Sequence, residues 1–153
     1  MPIREFLPSD LTAVLEIYAL SKLDEFANEP IRPSLVPLAH DKARWQQFSS
    51  STVYVYEEGG GRGYGGHAGN EIAALFVHPD ARGHGVGLAL LRCLVAKIPG
   101  DCYLSVAMSN VRAIELYRGL GFAASESFVG VYNGVAISGL VMNRAKPPSS
   151  SAT

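Results

Sequence analysis

Residues 72–98, "IAALFVHPDARGHGVGLALLRCLVAKI", constrain the fold more than any other stretch. Ile72 to Val77 is apolar on both faces. Such a strand must be covered on each side, which places it at the centre of a layered α/β fold with helices on both faces of the sheet. His78-Pro79-Asp80 ends the strand. A helix is predicted from about Gly85 to Ile98, with Leu88, Leu91 and Val95 facing inward, and Pro99-Gly100 stops it. Between strand and helix, Gly83, Gly85 and Gly87 alternate over five residues. Glycine weakens helices and strands alike, so the helix has no need of them. A helix N-terminus presents unpaired N–H groups and a partial positive charge. Glycines let that backbone close on a ligand without side-chain obstruction, so residues 82–87 read as an anion site, most often one for phosphate.

Two common phosphate motifs fail on named residues. A Walker loop needs Lys followed by Ser or Thr, and Leu88-Ala89 stands there instead. The dinucleotide fingerprint needs G-x-G-x-x-G and an acidic residue closing the next strand. Here the spacing is G-x-G-x-G, and Tyr103 to Ala107 ends without one.

The rest of the chain supplies the other layers. Ile3 to Leu7 reads as a short strand, and Pro8-Ser9-Asp10 starts a helix that runs to about Ser21. Residues 22–39 hold three prolines and read as irregular. His40-Asp41 caps a short helix carrying Trp45 and Phe48. Thr52 to Tyr56 is rich in strand formers. Seven glycines then fall between Gly59 and Gly69. This stretch reads as a loosely held hairpin, in which residues 62–68 form at best a short, poor strand. After Tyr103 to Ala107, Ser109-Asn110 caps a helix ending near Leu120-Gly121. Strands near 122–132 and 135–143 form a hairpin about Asn133-Gly134. The reading is one domain over residues 1–145 and a disordered tail over 146–153.

Composition narrows the function classes. The chain has 153 residues, 48% of them hydrophobic and 18% charged, enough to bury a core. Its net charge of -1 gives no long-range attraction to nucleic acid or to an anionic membrane. No apolar run is long enough to span a bilayer, and the first residues lack the regions of a signal peptide. Cys93 and Cys102 read as free, reduced thiols, from which a cytoplasmic location is expected. His40, His67, His78 and His84 have no metal-ligand spacing, so no metal is expected.

Two motifs together resemble one family. Arg82-Gly-His-Gly-Val-Gly87 is similar to the R/Q-x-x-G-x-G/A pyrophosphate loop of the GNAT superfamily, the acyl-CoA-dependent N-acetyltransferases. Downstream, Asn110-Val-Arg-Ala113-Ile-Glu-Leu-Tyr117-Arg-Gly-Leu-Gly121-Phe122 resembles its N-x-x-A-x-x-x-Y-x-x-x-G-F helix. The resemblance covers about residues 3–143 and is poorest in the glycine-rich third strand. It implies a GNAT fold, with a central mixed sheet of about seven strands flanked by about four helices. It also implies acetyl-CoA as cosubstrate, held in a cleft between the fourth and fifth strands. Acetyl transfer to a primary amine, from a small molecule or a peptide, would follow through a ternary complex. A non-catalytic acyl-CoA-binding module would carry the same motifs, and a homodimer remains open. Balanced charge argues against an acceptor borne on nucleic acid.

The resemblance also implies roles residue by residue. The backbone of Gly83, His84, Gly85, Val86 and Gly87 would receive the pyrophosphate, with Arg82 and His84 adding charge. The main chain of Leu75, Phe76 and Val77 would pair with the pantetheine arm. Asn110 and Tyr117 are seven residues apart, within about 20° of one another around the helix and roughly 10 Å apart along it. Ala113 keeps that face shallow. The Tyr117 hydroxyl would then point at the thioester sulfur. Glu71 opens the central strand and, by alternation, shares a face with Ala73, Leu75 and Val77. A carboxyl beside an apolar wall has a raised pKa and suits a general base. The strand around Ser105 would splay to admit the cofactor. Asp24, Glu25 and Glu29 would lie over the acceptor, where carboxylates could select a cationic amine.

Overall fold

The computed structural model describes residues 2–58 and 61–147. Its strands are β1 (Ile3–Glu5), β2 (Thr52–Glu58), β3 (Gly61–Ala68), β4 (Glu71–Val77), β5 (Cys102–Ala107), β6 (Ala123–Tyr132) and β7 (Val135–Arg144). They form one seven-stranded sheet in the order β1-β2-β3-β4-β5-β7-β6. Only β4 and β5 run parallel. The helices are α1 (Leu11–Ser21), α2 (Lys42–Ser49), α3 (Val86–Lys97) and α4 (Val111–Gly119). The seven-strand, four-helix mixed architecture is the one expected.

Each face of the sheet has its own core. On one side, Leu91 and Leu94 of α3, Ile98 just after it and Ile114 of α4 pack with Tyr54, Ile72, Leu104 and Met142. On the other, Val14, Ile17 and Tyr18 of α1 pack with Val53, Val55 and Tyr64, and Trp45 and Phe48 of α2 join them. Asp41 caps α2 by accepting from the Arg44 N–H at 3.2 Å. Asn133 and Gly134 both have positive φ, 45° and 80°, as the two-residue hairpin between β6 and β7 requires.

Three expectations change. First, β3 is a full interior strand, paired with β2 from Thr52↔His67 to Glu58↔Gly61 and with β4 on its other side. A Cβ on Gly63 would stand 2.9 Å from the Phe76 carbonyl oxygen and from Val86 Cγ1; one on Gly65 would stand 2.9 Å from Leu94 Cδ1. Real Cβ atoms do not approach so closely. Glycine here is what lets α3 sit on the sheet, while Tyr64 between them is buried on the opposite face. Gly59 and Gly60 of the expected hairpin lie outside the described residues.

Second, the inward stripe of α3 is Val86, Leu90, Leu91 and Leu94, and Leu88 and Val95 are only half-buried. Both stripes are apolar, so periodicity could not choose between them; contact with the glycine face of β3 does. Third, residues 22–39 are not wholly irregular: a 3₁₀ turn stands at Lys22–Phe26 and another, ending one residue past the segment, at Leu38–His40, and Phe26 and Leu38 are buried. Of the tail expected over 146–153, residues 148–153 lie outside the described residues. Lys146 is held through its N–H on Asp101 at 2.7 Å.

Candidate active site

β4 and β5 pair only at Glu71↔Tyr103 and then diverge. Beyond that point the backbone groups of β4 facing β5 have no strand partner. The gap opens into a cleft of about 860 Å³, the size of a small-molecule site. Leu75, Phe76, Val77, Gly87, Ser105, Asn110, Ala113 and Tyr117 all line it, as do Glu25 and Glu71. Of the glycine loop, Gly87 alone lines this cavity, and Asn110, Ala113 and Tyr117 line it from the second motif; Arg82 to Val86 stand outside its lining.

The glycine loop has the open backbone expected of it. Gly83 and Gly85 have φ of 81° and 75°, and a Cβ at either would meet nothing within 4 Å. Gly85 is the N-cap of α3 with no side-chain cap, and the first helical bond runs from Ala89 N–H to the Gly85 carbonyl at 3.0 Å. The amides of Val86 to Leu88 therefore have no helical carbonyl to reach. The Val86 side chain is 2% exposed and belongs to the core, so only its backbone faces the loop. His84 is exposed. Arg82 is paired through Nη2 with Asp24.

Tyr117 is anchored by its ring, which packs edge-on against Phe122 at 6.0 Å between centres. Burial, with the charge of Glu25 adding to it, pushes the hydroxyl well above the ordinary tyrosine range, so it is protonated at neutral pH. Asn110 caps α4, its Oδ1 accepting from Ala113 N–H at 3.4 Å.

Glu71 is half-buried, and desolvation raises its carboxyl pKa. Its face differs from the expected one. Gly66 pairs with Ala74 but His67 pairs with Ile72, so Ala73 is the extra residue of a β-bulge. Ile72 and Leu75 accordingly both pack toward α3, while Ala74 and Phe76 pack toward α1. Alternation from Ile72 puts Glu71 on the side of Ala74 and Phe76, not with Leu75 and Val77.

The acidic residues at 24–29 all have partners. Asp24 holds Arg82, and Glu29 accepts from the Ser109 hydroxyl. Glu25 lines the cleft, but both its oxygens accept from Lys22 Nζ, at 3.0 and 3.1 Å. Cleft residues that sequence reasoning missed are Lys22, Arg44, Gln47 and Tyr132. They come from three separate elements, and only Arg44 and Gln47, one turn apart on α2, are linked by spacing.

Among the described residues, no group of three His, Cys, Asp or Glu could hold a metal ion, and no helix is long and apolar enough to cross a membrane.

Comparison with known proteins agrees with this geometry. Residues 49–124 match the model of the acetyltransferase (GNAT) domain. The chain is similar in structure to a GCN5-related N-acetyltransferase of Rhodopseudomonas palustris, with TM-score 0.72, 19% identity, and 94% of each chain covered. It is also similar to a ribosomal-protein-alanine N-acetyltransferase of Brucella melitensis, with TM-score 0.71, 23% identity, and coverage of 95% of this chain and 100% of that one. A third is a GNAT superfamily phosphinothricin acetyltransferase of Sinorhizobium meliloti in complex with acetyl-CoA, with TM-score 0.69, 20% identity, and coverage of 100% and 93%. Among curated proteins, no sequence matches significantly.

Proposed function

The chain belongs to the GNAT superfamily, and on that premise we propose that it moves an acetyl group from acetyl-CoA to a primary amine by direct attack in a ternary complex. The observation that carries this reading is the divergence of β4 from β5. It exposes one edge of β4 along a cleft that runs between the glycine loop and Tyr117.

Acetyl-CoA fits the residues present. The open positions at Gly83 and Gly85, and the unpaired amides at the start of α3, suit its pyrophosphate. The exposed edge over Leu75, Phe76 and Val77 offers amide partners to the pantetheine arm, over the shallow face at Ala113 and beside Asn110. Arg82 is paired with Asp24 through Nη2 alone, so its remaining N–H groups can add to the loop amides at the phosphate, with His84 adjacent.

The thioester supplies an activated acyl carbon. Glu71, with its raised pKa, takes a proton from the acceptor ammonium, directly or through a water. The neutral nitrogen bonds to the acyl carbon, and the carbon–sulfur bond breaks. Tyr117 gives its hydroxyl proton to the departing sulfur and regains one as the amide nitrogen loses its own. One proton ends on the thiol and one in solvent, so the step balances. A β4 amide N–H polarises the carbonyl in the meantime.

Calorimetry with CoA and turnover with acetyl-CoA and a broad panel of amines test this together. Tyr117→Phe keeps the ring and its packing. It should leave acetyl-CoA binding intact while turnover falls by about 10²- to 10⁴-fold. A fully active Tyr117→Phe places the chemistry elsewhere. CoA binding without any turnover makes the protein a non-catalytic binding module.

A further inference from the structure

The wall of the cleft facing α1 and α2 carries an arrangement that acetyl transfer itself does not use. Lys22 is 7% exposed. Its ammonium lies 5.3–5.9 Å from the ring centres of Tyr132, Phe26, Phe76 and Tyr18. Such an aromatic box is what a cationic ligand would require, and the protein's own lysine fills it.

Beside the box stands Arg44, its guanidinium 4.7 Å from the Tyr132 ring centre. Its Nη1 donates to Asp41 at 3.1 Å. Guanidinium has five N–H groups in a planar fork, so most of its donating capacity remains. Next to it a chamber of about 50 Å³ opens between Tyr18, Lys22, Arg44, Gln47, Tyr64 and Phe76. The Tyr18 hydroxyl is buried there with no hydrogen-bond partner among the described residues. A buried donor left unpaired is costly, and its presence at a cleft calls for a ligand atom or a water. The carboxylates nearby are committed: Glu25 to Lys22 and Asp41 to Arg44. The chamber thus gathers hydroxyl, guanidinium and amide donors, with both neighbouring carboxylates already paired, in a space sized for a few water-sized atoms.

We infer that this chamber receives the carboxylate of the acceptor. A carboxylate accepts from all three donors and matches the guanidinium fork. The substrate is then a zwitterionic, amino-acid-like amine, not a polyamine and not a peptide N-terminus, whose carboxyl is blocked. This rests on the acetyl-transfer reading above.

The test sets free amino acids against their own carboxamides and against spermidine, with acetyl-CoA. The acids should show kcat/KM about 10- to 100-fold above the amides, the worth of a charged hydrogen bond. Arg44→Gln and Tyr18→Phe should each raise KM for the acid toward that of the amide. Each should move KM for the acid far more than KM for the amide and leave KM for acetyl-CoA unmoved, whereas a merely structural role would move all of them alike. Tyr18→Phe keeps the ring and removes an unpaired hydroxyl, so its thermal stability should not fall. Equal or faster turnover of amides or spermidine overturns the inference while acetyl transfer stands. If no amine is acetylated although CoA binds, the transfer reading has failed. Titration of N-acetyl amino acids and their amides into the CoA complex then decides the chamber. Preference for the acid that Arg44→Gln abolishes supports it, and no preference overturns it.

Discussion

Helix α3 meets glycine in two places. Along its inner face, Val86, Leu90 and Leu94 press on Gly63 and Gly65 of β3, where a Cβ would collide at 2.9–3.1 Å. At its start, Gly83 and Gly85 hold positive φ with nothing within 4 Å of the missing Cβ. In β3 the backbone is extended, and glycine is required because protein fills the space. In the loop the backbone is left-handed, and glycine is required for conformation while the space stays open. The two segments look alike in composition, and their neighbours make them opposites. One is a packing seat, and the other is a surface on which a ligand can close.

Hydrogen exchange gives the sharpest contrast. Amides of Gly63 to Gly66, bonded inside the sheet, should exchange at least about 1,000-fold more slowly than those of Gly83 to Leu88 in the unliganded protein. Comparable rates in the two segments would erase the distinction. Next in size is Gly63→Val. Overpacking against a backbone carbonyl and α3 should cost about 3 kcal/mol, lowering Tm by roughly 6–12 °C for a chain of this length. A wild-type Tm would show that α3 can lift off at no cost. Gly85→Asn then probes the loop, because Asn tolerates the left-handed region. Stability should change by less than about 1 kcal/mol, while CoA affinity measured by calorimetry falls about 10- to 100-fold. Unchanged affinity would refute the loop as the phosphate site.

The smallest effect lies where β3 ends opposite Glu71. Burial raises the Glu71 carboxyl pKa, so the fold favours its protonated form. That contribution is present below the ordinary carboxyl range and lost as pH rises through the raised pKa. Glu71→Gln has no such loss. The Tm of the variant relative to wild type should therefore rise from acid to neutral pH, modestly, because the side chain is half exposed. The acidic limb of kcat/KM should shift in the same variant toward the acceptor amine's own pKa. A parallel Tm difference across pH and an unchanged rate profile would make Glu71 a solvated strand-end carboxylate.

The central strand, the helix after it and the two motifs of the cleft were legible from local pattern. Ile72 to Val77 is apolar throughout, Gly83 to Gly87 precedes a leucine run, and Asn110 and Tyr117 sit two helical turns apart. The glycine stretch misled because glycine propensity is a statement about an isolated backbone, and α3 decides otherwise once it packs. The pairing of the acidic residues at 24–29 was only partly legible, because Lys22 is local to Glu25 whereas Arg82 and Ser109 are distant from Asp24 and Glu29.

Order along the chain determines what each segment can be: where strands and helices begin, and which backbone can receive an anion. Those properties depend on neighbours within a few residues. Which stripe of α3 is buried, which side Glu71 faces after the bulge at Ala73, and what surrounds Lys22 and Arg44 were decided only when distant segments met. Each is a contact between surfaces, and equivalent apolar stripes or unpaired charges stay degenerate until tertiary packing gives one of them a partner.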